Sequence, residues 1–193
     1  MKNYYLISIL FLVCSCKNGL DLSKKNKFLS LTRAQAIQLS SELYQKYAVD
    51  LINLRAEEIE GQLIELDGYK LKYHLKTFGQ MPQNGWSLFI SLHGGGGVDP
   101  EINERQWNRH KILYSLEQGI LLTPRSPTDT WNMWHQAHVD EILNRLLQNM
   151  IASNKINPNK VFLLGYSAGG DGVYQLAPRM ADRFAAASMS AGH

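Results

Sequence analysis

One stretch constrains this chain more than any other: Val161 to Gly170, reading Val-Phe-Leu-Leu-Gly-Tyr-Ser-Ala-Gly-Gly. Four apolar residues open it, the pattern of a strand buried on both faces. Gly-x-Ser-x-Gly follows, with Ser167 between Gly165 and Gly169. Beyond it, Ala168, Val173, Leu176, Ala177 and Met180 recur at helical spacing. A strand, a sharp turn and a helix are what a nucleophile elbow needs. A serine on so tight a turn takes a strained backbone conformation, and its neighbours two residues away must be small. The helix that starts after Ser167 aims free N–H groups and its positive dipole end toward the serine oxygen. The competing reading, an ordinary strand-to-helix turn, is weakened by a second signal upstream.

That signal is Trp86 to Gly97, Trp-Ser-Leu-Phe-Ile-Ser-Leu-His-Gly-Gly-Gly-Gly. Again an apolar strand runs into a special turn. Consecutive glycines let backbone N–H groups turn inward, where they can hold the negative oxygen of a tetrahedral intermediate. A flexible glycine loop is the bland alternative. A phosphate cradle is the third, but it requires Gly-Lys-Ser/Thr where this chain has Val98-Asp99-Pro100.

His93-Gly94-Gly95-Gly96 followed later by Gly165-Tyr166-Ser167-Ala168-Gly169-Gly170 resembles the α/β-hydrolase superfamily. Ile156 to Val161, ahead of the elbow, is similar to esterases of the poly(3-hydroxybutyrate) depolymerase, feruloyl esterase and predicted-peptidase group. The likeness covers roughly residues 60 to 193. It implies Ser167 as nucleophile, with Ala168 and Gly95 or Gly96 as backbone oxyanion donors. It implies a small-molecule or polymer ester as substrate, and no cofactor. It also implies a triad running Ser, acid, His along the chain. Since one strand-like segment, Arg183 to Ser190, follows the elbow, the acid and base are expected beyond His193 and the chain to be a truncated product or fragment. His193 follows a strand at the correct edge and is the upstream alternative as base. Asp171, one helical turn after Ser167, is expected to fix a pocket loop. His93 resembles a structural residue that holds the glycine turn. A serine peptidase of the same fold shares every motif, and a non-catalytic surface protein binding carbohydrate or polymer through Trp131 and Trp134 is the rival from another class.

The remaining expectations concern organisation. A 193-residue chain suggests one domain, and its net charge of +3 is scattered, with no basic run calling for nucleic acid. Lys2 and the apolar run Tyr4 to Val13 form a segment too short to span a bilayer. Val13-Cys14-Ser15-Cys16 resembles a bacterial lipobox, which implies a signal peptide over residues 1–15, a lipid on Cys16 and an extracytoplasmic protein anchored to a membrane. An unlipidated signal peptide is the alternative. Residues 16–31 are polar and Lys-rich and read as a tether.

Thr32 is a plausible N-cap for a helix running to about Glu60, with Ile37, Tyr44, Ala48, Leu51 and Ile52 on one face. Gln62 to Phe78 reads as a β-hairpin turning at Asp67-Gly68. Arg105 to Gln118 reads as a helix facing inward through Trp107, Ile112, Leu113 and Leu116, followed by a strand at Ile120 to Thr123. Val139, Ile142, Leu143, Leu146, Leu147, Met150 and Ile151 make a core-facing helical stripe. Asn154 to Asn159 reads as a turn, with Lys160 starting the elbow strand. The expected fold is therefore α/β: a mostly parallel α/β-hydrolase sheet flanked by helices, incomplete at the C-terminus, with residues 61–193 as the partial domain behind an N-terminal helical extension. Ligands bind beyond the carboxyl ends of such strands, where both glycine motifs fall. Trp131 is a pocket-lining candidate there. His135 and His138 lie at i, i+3 near Asp140 and Glu141, but no third ligand has convincing spacing, so no metal is expected.

Overall fold

The computed structural model describes residues 30–193. The expected signal segment, Cys16 and most of the tether lie outside these residues. The described residues fall into two contact units, one ending at Leu39 and the other Ser40–His193. In the first, Thr32 Oγ1 accepts from the Gln35 N–H while Gln35 Oε1 accepts from the Thr32 N–H, at 3.3 and 2.9 Å. This reciprocal capping box satisfies two otherwise orphaned donors and starts helix α1 (Arg33–Leu54).

The helix expected to reach Glu60 runs as two pieces. It breaks at Arg55, whose φ of −120° and ψ of 25° are not helical, and resumes as α2 (Ala56–Glu60). Only Leu51 of α1 is buried. The break has a visible reason. Glu58 on α2 takes a two-oxygen grip from Arg145 and a bond from Asn149 Nδ2 at 3.0 Å. Arg55 donates to Gln148 and Asn149, both at 3.0 Å. A turn of backbone is redirected so that charged groups on either side of it are satisfied.

The hairpin forms as read. β1 (Leu63–Leu66) and β2 (Tyr69–Phe78) pair antiparallel around Asp67 and Gly68, with φ of 50° and 81°. β3 (Trp86–Leu92) follows. The next helix, α3 (Pro100–Leu113), starts five residues before the expected Arg105, because Pro100 occupies its first turn where no N–H is needed. Its buried residues are Asn103, Trp107 and His110, and Ile112 is 77% exposed. The inward face is thus largely polar, which is why an apolar count misplaced it. Then come β4 (Gly119–Pro124), α4 (Ala137–Ser153), β5 (Ile156–Tyr166), α5 (Ala168–Arg179) and β6 (Ala186–Ser190). β5 begins at Ile156, not Lys160, since Ile156 already pairs with Trp86 across an irregularity in the ladder. No helix among the described residues is long and apolar enough to cross a membrane.

Among the described residues six strands form one mixed sheet in the order β1-β2-β4-β3-β5-β6. β2 joins β4 antiparallel, and β4, β3, β5 and β6 run parallel. The α4 stripe, Val139 through Met150, packs with Leu88, Ile90, Leu92, Val161, Leu163, Val173 and Leu176 into the core. Each such side chain contributes about 1.5–3 kcal/mol by leaving water. Pairing of Leu92 with Gly165, and of Tyr166 with Ser190, brings the carboxyl ends of β3, β5 and β6 level. The glycine bend and Ser167 therefore leave the sheet side by side.

Candidate active site

Ser167 has φ 54° and ψ −125°, a left-handed conformation rare for a residue with a side chain and costing about 1–3 kcal/mol. The surroundings hold it there. Its N–H donates to the Ser190 carbonyl at 2.9 Å, and its carbonyl accepts from the Asp171 N–H at 3.1 Å. A Cβ at Gly165 would overlap the Gly169 carbonyl, and one at Gly169 would overlap the Leu92 carbonyl. The two small residues flanking the serine are thus required by direct backbone contact. No hydrogen bond links Ser167 Oγ to any described residue.

Facing it, the bend at Gly94 to Gly97 is pinned at both ends. His93 is fully buried. Its Nδ1 lies 2.7 Å from the Gly94 carbonyl, and its Nε2 lies 3.1 Å from the Ser126 amide, which can only donate. Nε2 therefore accepts and Nδ1–H donates, which makes the ring neutral. Burial, with the nearby charges of Arg125 and His110, pushes the His93 pKa down to about 3. Trp134 Nε1 donates to the His93 carbonyl at 2.8 Å. At the far end, Asn103 Oδ1 accepts from the Gly96 N–H at 3.0 Å and Asn103 Nδ2 donates to the Gly96 carbonyl at 2.9 Å. Of the two alternative bend donors, Gly96 is thus engaged, and Gly95 (φ 117°) keeps an N–H with no partner among the described residues. The Ala168 N–H, at the start of α5, is likewise unpartnered.

A cleft of about 520 Å³ runs between these parts. Gly95, Gly97, Ser167, Ala168 and Asp171 line it together with Trp131, His135 and His193. Trp131 is 73% exposed at its mouth. Trp134 is completely buried, so the rival reading of two tryptophans as a binding platform is left with Trp131 alone; a Cβ on Gly172 would overlap the Cβ of Trp134. Asp171 ties down the turn after β6: Oδ1 accepts from the His193 amide at 2.7 Å, and Oδ2 lies 3.2 Å from His193 Nδ1. Partial burial pulls its carboxyl upward, but the bonds from His193 and the charges of His193 and His135 outweigh this and hold it below its usual range. His193 is thus bonded to Asp171, not to Ser167. His135 stands edge-on to Trp131, with ring centroids 5.4 Å apart, and burial lowers its pKa. His138 instead stacks on Tyr69 at 3.5 Å. Among the described residues no group of three or more His, Cys, Asp or Glu side chains is placed to hold a metal ion.

Several residues of this frame escaped the sequence reading. Asn103, Ser126 and Asp129 carry no motif, and Tyr174 and Gln175 line the cleft only because α5 turns them toward it. The available signal was Asn103, Trp107 and His110 at i, i+4 and i+7, a polar-rich inward face that begins once Pro100 is taken as the helix start.

No family model matches the chain, and no curated protein sequence matches it. Among solved structures it is similar to a thermostable esterase at 20% identity and a TM-score of 0.47, covering 67% of this chain and 40% of that one. It is similar to an acetyl xylan esterase from Aspergillus awamori at 16% identity and a TM-score of 0.45, covering 63% of this chain and 48% of that one. A ferulic acid esterase matches at 15% identity and a TM-score of 0.46, over 67% of this chain and 56% of that one. The chain thus spans about half the length of these structures.

The buried, neutral His93 ring makes stability depend on pH. Its folded pKa lies below the ordinary histidine value, so between about pH 6.5 and pH 3 the unfolded chain binds a proton that the folded one refuses. Its contribution is complete above pH 6.5 and is lost as pH falls, at up to about 1.4 kcal/mol per pH unit. Imidazole nitrogen NMR should show His93 as the neutral Nδ1–H tautomer at pH 5; a protonated ring at that pH contradicts the hydrogen-bond assignment.

Proposed function

We propose that this protein is a serine hydrolase of carboxylic esters, with Ser167 as nucleophile. The observation that supports this most strongly is the strained Ser167 turn on one cleft with Gly95 and Ala168, whose N–H groups have no partner among the described residues. Strain at a residue the fold over-determines is a mark of function, and free donors next to a hydroxyl suit a developing oxyanion. In this reading Ser167 Oγ attacks the ester carbonyl and the two amides hold the resulting negative oxygen. A general base takes the Ser167 hydroxyl proton; the tetrahedral intermediate collapses with cleavage of the ester C–O bond, the alcohol leaving with that proton, and water, deprotonated by the same base, then releases the acyl group as a carboxylic acid and returns the proton to Ser167. No described residue is assigned as the acid or base of the triad. No step requires a cofactor.

The test uses the full-length protein. A fluorophosphonate probe should label Ser167, and Ser167→Ala should lower p-nitrophenyl ester turnover by roughly 10³-fold or more. Labelling elsewhere, or unchanged turnover, removes the serine from the mechanism. Turnover of short peptide amides at rates matching the esters favours the peptidase.

We further propose that the protein is a lipoprotein held outside the cytoplasm through Cys16. The support is the short apolar segment ending on Val13-Cys14-Ser15-Cys16. Labelled palmitate should enter the wild-type protein in bacterial cells and be absent from Cys16→Ser. Equal labelling of the two refutes the anchor.

A further inference from the structure

The glycine bend has a support that the hydrolase reading does not require and the motif does not contain. Asn103 projects from α3, with no exposed surface, against the Gly95–Gly96 segment. Its amide meets both polar groups of Gly96, accepting from the N–H at 3.0 Å and donating to the carbonyl at 2.9 Å. The second Nδ2 hydrogen goes to Asp129 Oδ1 at 2.8 Å. The three contacts fix which way the amide faces, since only the nitrogen can donate to a carboxylate. Asp129 is itself ion-paired with Arg125, which is nearly buried and also donates to the Ser126 carbonyl at 2.9 Å. Ser126 in turn meets His93 at the other end of the bend. A Cβ on Gly95 would overlap Asn103 Oδ1, so the amide fills the space behind that residue.

The consequence is selective. Gly96 has neither polar group free, and Gly95 retains its N–H beside Ala168. A donor must stand about 2.7–3.1 Å from where an oxyanion forms, and a displacement of about 1 Å costs on the order of 100-fold. We propose that Asn103, oriented by the Asp129–Arg125 pair, is a positioning residue that sets the oxyanion donor geometry of the glycine bend. This rests on the serine-hydrolase reading. Asn103 touches neither substrate nor Ser167 and acts through the peptide it clamps.

The experiment compares Asn103→Ala, Asp129→Ala and, as a control on the exposed face of the same helix, Asn108→Ala in the full-length protein. Fluorophosphonate labelling of Ser167 in the unsubstituted protein comes first; its absence overturns the hydrolase reading and the positioning role with it. With labelling present, Asn103→Ala should lower kcat for a p-nitrophenyl ester roughly 10- to 100-fold with KM within about twofold. Affinity for an alkylboronic acid, which forms a tetrahedral adduct, should fall in parallel with kcat/KM. Asp129→Ala should shift the same quantities in the same direction by a smaller factor, and Asn108→Ala should change none. If Asn103→Ala does not fold, Asp129→Ala decides between the outcomes. Labelled Ser167 with kcat and boronate affinity within twofold of wild type in the folded variants overturns the positioning role alone. So does a loss confined to KM.

Discussion

The structure depends on how closely the first turn of α5 approaches the strand ends. Gly165 on β5 meets the Gly169 carbonyl, Gly169 meets the carbonyls at Leu92 and His93 closing β3, and Gly170 meets Ser190 at the end of β6. Backbone touches backbone in all three places, with no room for a methyl group. This contact drives Ser167 into its left-handed conformation, because the chain must reverse from strand to helix with Ser167 as the single residue between them. Core packing of Val173 and Leu176 under the same helix supplies the stabilisation that offsets the strain.

Once α5 is seated there, the remaining geometry is a matter of hydrogen bonds. The bend after β3 has little side-chain mass of its own, so its shape comes from outside. His93 and Ser126 hold Gly94, and Asn103 and Asp129 hold Gly96. The burial that depresses the His93 pKa is what makes it a reliable brace, since a neutral ring keeps one donor and one acceptor in fixed places. A glycine-rich segment, intrinsically the most mobile kind of backbone, is thereby converted into a rigid wall of the cleft. The preorganisation comes from α3 and the loop after β4, elements that carry no recognisable motif.

This explains what the sequence made legible. The strand, turn and helix around Ser167 were readable because local sterics restrict residue choice, and the α4 stripe because apolar periodicity reports a buried face directly. The hairpin was readable from Asp67-Gly68. What stayed hidden were features set by tertiary pairing. Trp107 marks the inward face of α3 legibly, but the extent of the helix is hidden because Asn103 and His110 beside it are polar groups satisfied by partners distant in sequence. The start of β5 was missed because Ile156 joins the sheet through Trp86, beyond any local signal. The break between α1 and α2 has no local signal because the partners that Arg55 bonds there, Gln148 and Asn149, lie on α4. Trp134, offered beside Trp131 as a surface platform, is buried by its bond to the His93 carbonyl and its packing on Gly172.

The central claim is that a reactive Ser167 Oγ faces amide donors of the glycine bend. A crystal structure of the protein after reaction with an alkyl phosphonate reads this directly. The account predicts a covalent bond from Ser167 Oγ to phosphorus, with the phosphoryl oxygen about 2.7–3.1 Å from the amide nitrogens of Gly95 and Ala168. An adduct whose phosphoryl oxygen points away from both amides, or modification of another residue in place of Ser167, contradicts it.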